Sequence, residues 1–270
     1  MESIRAEGWL ELHELLFAGS WREELGRFRS RCAFRGEPDA GRALRTSLQL
    51  LGGDFAAVEE HLLRNFRKYA HGNLPDGDSP WSLLALAKHH GLPTRLLDWT
   101  YSPYVALHFA TADPACADED AAVWCADFAG LKRHLPPRLR ELLDDEGADA
   151  FSRELLDRAA RSLRELDALA GGEPFALFFE PPSLDARIVN QAALFSLLSS
   201  PSARLDEWLE RDRGLARRIE IPAGLKPEVR DKLDQANVTE RVLFPGLDGL
   251  CRWLARYYGP RPAAAPYARR

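Results

Sequence analysis

Residues 79–111 read SPWSLLALAKHHGLPTRLLDWTYSPYVALHFAT, with two helix starts on either side of a strand signal. A serine followed by a proline occurs at 79–80 and again at 102–103. This pair is typical of a helix N-terminus, because the hydroxyl caps the first turn and proline suits its first position. The first helix is predicted to end at Gly91, since glycine readily adopts the conformation that closes a helix. Residues 94–100 are predicted as a strand, so the stretch indicates a helix, a strand and a second helix in close succession.

Short apolar runs elsewhere in the chain predict strands, and helical spacing of apolar residues predicts helices. The other predicted strands are 32–36, 123–128, 174–180 and 218–222. The other predicted helices are 4–18, 54–69, 138–170, 226–237 and a last helix after residue 246, while 185–199 fits either state. Strands and helices mix without strict βαβ alternation. We therefore predict an α+β fold: a single domain with a mixed, largely antiparallel sheet flanked by helices.

Three segments are expected along the chain: an N-terminal helix (1–28), a main domain (29–258) and a disordered tail (259–270). The charged helical segment 138–170 is predicted as an insertion or a mobile hairpin in the main domain. The tail is too rich in proline and alanine to pack against a core.

Composition narrows the classes of function. The 270 residues have 46% hydrophobic side chains and a formal net charge of -5, which disfavours nucleic acid as a partner, although a local basic patch is compatible with it. No run approaches 18 apolar residues and no secretory signal is evident, so no membrane partner and a cytoplasmic location are expected. The four cysteines lack zinc-ligand spacing, and no metal site is predicted.

The polar residues of the predicted strand 94–100 are the first candidates for a site. Thr94, Asp98 and Thr100 point to one face of the strand and Arg95 to the other. A buried carboxylate needs a partner, so Asp98 either caps the next helix or pairs with an arginine as a brace, or else this face lines a cleft. Ser102 begins a helix, whose free N–H groups suit an anion.

A second candidate is Arg35, which follows an apolar run and precedes Gly36. Arginine suits a phosphate or carboxylate, and glycine would let a ligand approach the backbone. A surface arginine beside a turn glycine is the alternative interpretation. Arg187 and Gln191 are four apart, so on a helix they share a face, either as a surface contact or as part of a site. No motif supports a serine hydrolase, a kinase or a Rossmann enzyme.

Several of these segments, taken in order, resemble the FRG domain family over about residues 30–255. They are Phe34-Arg35-Gly36, the block 90–110, Arg187-Ile188 with Gln191 and Phe195, and the block 243–250. One departure is Ala193, which stands where the family pattern has a glycine.

The order of elements is also similar to the opening of ADP-ribosyltransferases, which hold NAD in a cleft of a small mixed sheet. This resemblance implies an NAD-utilising enzyme, either an NAD glycohydrolase or ADP-ribosyltransferase-like, with a toxin or phage-defence effector as the implied setting. Arg35 would grip the NAD phosphate or ribose, and Gln191 would stand where such enzymes carry glutamate. Asp98 or Glu180 would then supply the missing acid.

The resulting site prediction has two parts. The implied catalytic residues are Arg35, Asp98 and Gln191. The implied residues binding NAD, which is the substrate, are Arg35, Gly36, His90, Thr94, Arg95, Thr100 and Ser102. The partners are a nucleotide-like small molecule and a macromolecular acceptor. The alternatives are a non-catalytic module that binds a nucleotide or another anionic ligand, and a nucleic-acid-acting protein.

Overall fold

A seven-stranded sheet forms the centre of the computed structural model, which describes residues 1–70, 79–183 and 185–259. Its strands are β1 (Glu2–Arg5), β4 (Cys32–Glu37), β5 (Leu96–Thr100), β6 (Ala121–Asp127), β7 (Ala176–Phe179), β8 (Ala193–Leu198) and β9 (Ala216–Ile221). Two further strands, β2 (Trp21–Arg22) and β3 (Arg27–Phe28), form a separate hairpin. The sheet order is β1-β9-β6-β4-β5-β8-β7. Every neighbouring pair is antiparallel except β1 with β9, which confirms the predicted single-domain, largely antiparallel α+β fold.

Helices flank this sheet. They are α1 (Trp9–Phe17), α2 (Phe55–Tyr69), α3 (Pro80–His89), α4 (Pro103–Thr111), α5 (Phe128–Leu131), α6 (Pro137–Glu146), α7 (Arg153–Ala159), α8 (Leu163–Ala168), α9 (Ala186–Asn190), α10 (Leu205–Leu209), α11 (Lys226–Gln235), α12 (Glu240–Leu243) and α13 (Leu247–Tyr258). The predicted caps are confirmed: Ser79 accepts a hydrogen bond from the Ser82 amide, and Ser102 from the Val105 amide. Gly91 has φ +83°, the left-handed conformation expected after α3.

Alternation along the strands buries both faces of the sheet. Leu97, Trp99 and Trp124 belong to one buried cluster, together with α10. Leu96 belongs to a second cluster with α3 and α6–α8, and Phe34 to a third with α1, α4 and α11. Helix α3 thereby packs in the cluster of Leu96 on β5, and helix α4 in the cluster of Phe34 on β4.

The N-terminal helix predicted over 4–18 is wrong at its start. Residues Glu2–Arg5 form strand β1, which pairs in parallel with β9, and helix α1 begins only at Trp9. The predicted segment 1–28 therefore also contains a sheet strand and the β2–β3 hairpin. A four-residue strand whose partner lies more than 200 residues away leaves no local signal.

The structure shows what two further segments of the chain form. Residues 185–199 are a helix followed by a strand, α9 and β8. The segment 138–170 contains most of α6 together with α7 and α8, whose apolar side chains join the core; Leu139, Leu156 and Leu166 are all fully buried. Residues 260–270 of the predicted tail lie outside the described part of the chain.

Candidate functional site

A split in the sheet creates the candidate site. Strand β4 pairs with β6 over six residues, and β5 pairs with β8 over five. In the part of the chain that the structure describes, β4 and β5 share a single register pair, Phe34 with Thr100. The two central strands therefore diverge beyond this pair, and side chains from both are left facing the gap.

A cleft of about 1850 Å³ is lined by both of these strands. Residues from the ends of α3 and α4 and from α9, α11, α12 and α13 form its walls. Of the predicted site residues, six line it: Arg35, Gly36, His90, Asp98, Thr100 and Gln191. The three proposed catalytic residues thus share one cleft, although 156 positions separate the first from the last.

Three predicted site residues are not among those lining the cleft, and each has another contact. The carbonyl of Thr94 accepts hydrogen bonds from the Ser47 hydroxyl and the Leu48 amide. Arg95 is buried between two carboxylates, those of Glu59 on α2 and Asp167 on α8. Ser102 is committed to capping α4.

Arg35 bridges the gap between the two strands. Its Nε and Nη2 lie 2.7 and 2.6 Å from Glu37 Oε1, and its Nη1 donates to the carbonyl oxygen of Asp98 at 2.8 Å. Glu37 has only 9% of its side chain exposed, so this ion pair is largely withdrawn from solvent. The guanidinium thereby fixes a carboxylate at the cleft. Glu37 was missed, although strand alternation places it on the same face as Arg35.

Asp98 carries the more accessible carboxylate. Its Oδ2 lies 2.6 Å from Nζ of Lys88 on α3, and 60% of its side chain is exposed. The partner is thus a lysine, whereas the brace considered from the sequence required an arginine. Lys88 has only 15% of its side chain exposed, so the pair is open to solvent, and to a ligand, on the side of the Asp98 carboxylate.

Gly36 is required by packing against helix α4. A Cβ at this position would lie 2.0 Å from the carbonyl oxygen of Ala106 and 2.5 Å from the amide nitrogen of Ala110. The space that a side chain of residue 36 would need holds the backbone of α4, so packing gives a reason for the glycine that the sequence did not show.

Thr100 and Gln191 link strand β5 to helix α12, and both elements line the cleft. The Thr100 hydroxyl donates to the Gln191 carbonyl at 2.7 Å, and Gln191 Nε2 donates to the Leu243 carbonyl at 2.9 Å. The amide group of Gln191 thus holds the end of α12 in place. Glu180, the other acid considered, is not among the residues lining the cleft and accepts a hydrogen bond from the Tyr101 hydroxyl.

Residues 30–119 match the family model of the FRG domain. This chain carries an FRG domain. The match spans about a third of the chain and includes β4, β5 and α4, so both strands that part at the cleft belong to it. The predicted extent of the FRG domain to residue 258 stays a prediction. No curated protein and no solved structure matches the chain.

A buried ionic network joins the FRG domain to the C-terminal helices. His108 Nδ1 lies 2.8 Å from Arg230 Nη1, and Arg230 Nη2 lies 2.6 Å from Glu240 Oε1. Arg256 on α13 hydrogen-bonds both Glu240 and Asp234. All five residues line the cleft. They assemble from α4, α11, α12 and α13, and no local sequence signal links them.

Burial and charge shift the titration of this network. Burial, followed by the charge of Arg230, lowers the pKa of His108 to about 4. Nδ1 of a neutral His108 can accept the hydrogen bond that Arg230 donates. Burial opposes ionisation of Glu240, but the hydrogen bond from Arg256 and the charge of Arg230 outweigh it and lower the pKa of Glu240 to about 2. At neutral pH the network therefore contains a neutral histidine and an ionised glutamate.

The described ranges contain neither a metal-binding cluster nor a membrane-spanning helix. Within them, no group of three or more His, Cys, Asp or Glu side chains is arranged to hold a metal ion. Within the same ranges, no helix has the length and apolar character to cross a membrane.

Proposed function

We propose that this protein is an NAD-utilising enzyme, an NAD glycohydrolase or an ADP-ribosyltransferase-like protein, and that the cleft between β4 and β5 is its site. The observation that carries the proposal is the split of the sheet. It exposes Arg35 and Glu37 of one strand and Asp98 and Thr100 of the other to the same cleft.

The size of the cleft supports a large ligand. Pockets for drug-sized ligands measure roughly 300–1,000 Å³. A cleft of about 1850 Å³ leaves room for a dinucleotide together with an acceptor. A macromolecular acceptor and a toxin or phage-defence role remain predictions from the resemblance.

Cleavage of NAD requires stabilisation of the positive charge that develops on the ribose. The bond between the ribose C1′ and the nicotinamide nitrogen breaks, and nicotinamide leaves with the bonding electrons. Water or an acceptor then bonds to C1′ and gives up a proton. A carboxylate beside C1′ stabilises the positive ribose and can take that proton. Asp98 is the candidate for this role because its carboxylate is accessible, whereas Glu37 is held by Arg35.

Gln191 fits a positioning role better than a catalytic one. Its side chain is neutral, and its amide nitrogen is committed to the Leu243 carbonyl. It therefore offers no charge to the ribose and no base for the proton.

The test is nicotinamide release from NAD by the purified protein, followed by chromatography. Asp98→Asn removes the charge and keeps the shape of the side chain, and should lower turnover at least about 100-fold. Asp145→Asn is the matched control, because Asp145 is exposed on α6 and does not line the cleft. A folded parent protein that releases no nicotinamide, with or without candidate acceptors, rejects the enzyme proposal.

A binding module without turnover is the second candidate. The pairing of both carboxylates favours it, since Glu37 is matched by Arg35 and Asp98 by Lys88. Calorimetry combined with the nicotinamide assay distinguishes an enzyme from a binding module. A binding module binds NAD or another nucleotide in the calorimeter but releases no nicotinamide. A nucleic-acid-acting protein gains no support, since the cleft is lined by as many acidic as basic side chains.

A further inference from the structure

Two arginines and a phenylalanine form a platform on the wall of the cleft. The Cζ atoms of Arg187 and Arg252 lie 5.0 and 4.8 Å from the ring centroid of Phe244. Arg187 comes from α9, Phe244 follows α12, and Arg252 lies on α13. All three line the cleft.

Within the described ranges, neither guanidinium of the platform is paired with a carboxylate. Among the residues that the structure describes, Arg187 and Arg252 have no ion pair and no side-chain hydrogen bond. The other arginines of the cleft differ, since Arg35, Arg230 and Arg256 each pair with a carboxylate. The platform is therefore a local concentration of positive charge on the wall of a cleft whose other arginines are already paired with carboxylates.

Contact with an aromatic ring holds a guanidinium without using its hydrogen-bond donors. The attraction arises between the cation and the ring, so the N–H groups remain free for another partner. Two guanidinium groups with free N–H donors are suited to binding phosphate, whose oxygens accept charge-assisted, bidentate hydrogen bonds.

We propose that Arg187 and Arg252 form a subsite for phosphate groups, and that the pyrophosphate of a dinucleotide binds there. The assignment to a dinucleotide rests on the proposed use of NAD. The resemblance to ADP-ribosyltransferases implies that Arg35 binds the phosphate, but in this protein Arg35 donates hydrogen bonds to Glu37 and to the Asp98 carbonyl. Arg187 and Arg252 can bind the phosphate in its place, because their N–H groups make no hydrogen bond within the described residues.

The fold holds the three parts of the platform together. Asn190 Nδ2 donates to the Val242 carbonyl at 2.7 Å, beside the bond from Gln191 to Leu243, so α9 is tied to the end of α12. A Cβ at Gly249 would lie 1.9 Å from the Phe244 carbonyl oxygen, so this glycine lets α13 approach closely. Geometry that is set before a ligand arrives reduces the entropy lost on binding.

Calorimetry with inorganic pyrophosphate, ADP and adenosine tests the subsite. The variants are Arg187→Gln, Arg252→Gln and the double variant, each checked for folding by thermal melting. Arg241→Gln is the matched control, because Arg241 also lies over an aromatic ring, that of Trp253, but is not among the residues lining the cleft. We expect each single variant to weaken pyrophosphate and ADP about tenfold and the double variant about a hundredfold. Adenosine binding and the control should be unchanged.

Three results would overturn the subsite: no binding of pyrophosphate or ADP by the parent, equal affinity in the double variant, or equal weakening in the control. Nicotinamide release separates this inference from the enzyme proposal. If the parent binds ADP through both arginines but never releases nicotinamide, the subsite stands and the enzyme proposal fails. If NAD is consumed and the double variant leaves the KM for NAD unchanged, the subsite fails and the enzyme proposal stands.

Discussion

Replacing Gly36 by alanine separates two explanations of the FRG tripeptide. If the glycine makes room for a ligand, Gly36→Ala should fold normally and lose only binding. If it makes room for helix α4, the variant should lose stability. The new Cβ would lie 2.0 Å from the Ala106 carbonyl oxygen, whereas real Cβ contacts essentially never fall below 3.0 Å. Strand β4 and helix α4 must therefore move apart by about 1 Å.

The size of the effect follows from what lies at that contact. Phe34, Ala106, Leu107 and Ala110 are fully buried and belong to one cluster. A gap of about 0.5–1 Å already forfeits roughly a quarter to a half of the dispersion energy between facing atoms. Overpacking of a core typically costs about 1–3 kcal/mol, and here the obstacles are backbone atoms. We expect Gly36→Ala to lower the free energy of unfolding by about 3 kcal/mol or more.

Urea denaturation of the parent and the variant measures this loss. Gly214→Ala is the matched control, because a Cβ there meets nothing closer than 3.7 Å and the residue is exposed. The control should stay within about 0.5 kcal/mol of the parent. A Gly36→Ala protein as stable as the control, with ligand binding lost, would refute the packing explanation and restore the ligand-approach one.

Two further substitutions test the contacts around the cleft. The pKa of His108, about 4, lies below its ordinary 6.5, so the stability that the neutral ring contributes is complete above pH 6.5 and is lost as the pH falls towards 4. Between about pH 7.5 and 4, the parent should therefore lose roughly 3 kcal/mol more than His108→Asn in urea titrations, and parallel losses would contradict the shift. Gln191→Glu replaces the donor to the Leu243 carbonyl with an acceptor, so it should destabilise the protein by about 1–3 kcal/mol and should not raise nicotinamide release above that of the parent. A stable and more active Gln191→Glu protein would show that this position is catalytic.

Most of the secondary structure could be predicted from signals between residues that are close together in the sequence. The caps at Ser79 and Ser102 and the stop at Gly91 each depend on residues within one helical turn, so the sequence alone predicts α3 and α4. The apolar run 174–180 predicts β7 because both faces of that strand are buried. The α+β class follows from the order of these elements.

Contacts between distant segments could not be predicted in this way. Strand β1 depends on β9, and the cleft depends on β4 and β5 separating after one register pair. Arg95 and Glu59 are each ordinary surface residues by type, and only the fold shows that they are buried as a pair. The platform on Phe244 likewise joins α9 and α13, which are far apart in sequence.

Nicotinamide release tests most directly whether the cleft between β4 and β5 uses NAD as proposed. The measurement compares the purified parent with Asp98→Asn, using Asp145→Asn as the control. We expect nicotinamide release by the parent and the control, and release at least about 100-fold slower by Asp98→Asn. Release that is equal in all three proteins would contradict the assigned site, and no release by a folded parent would contradict the claim itself.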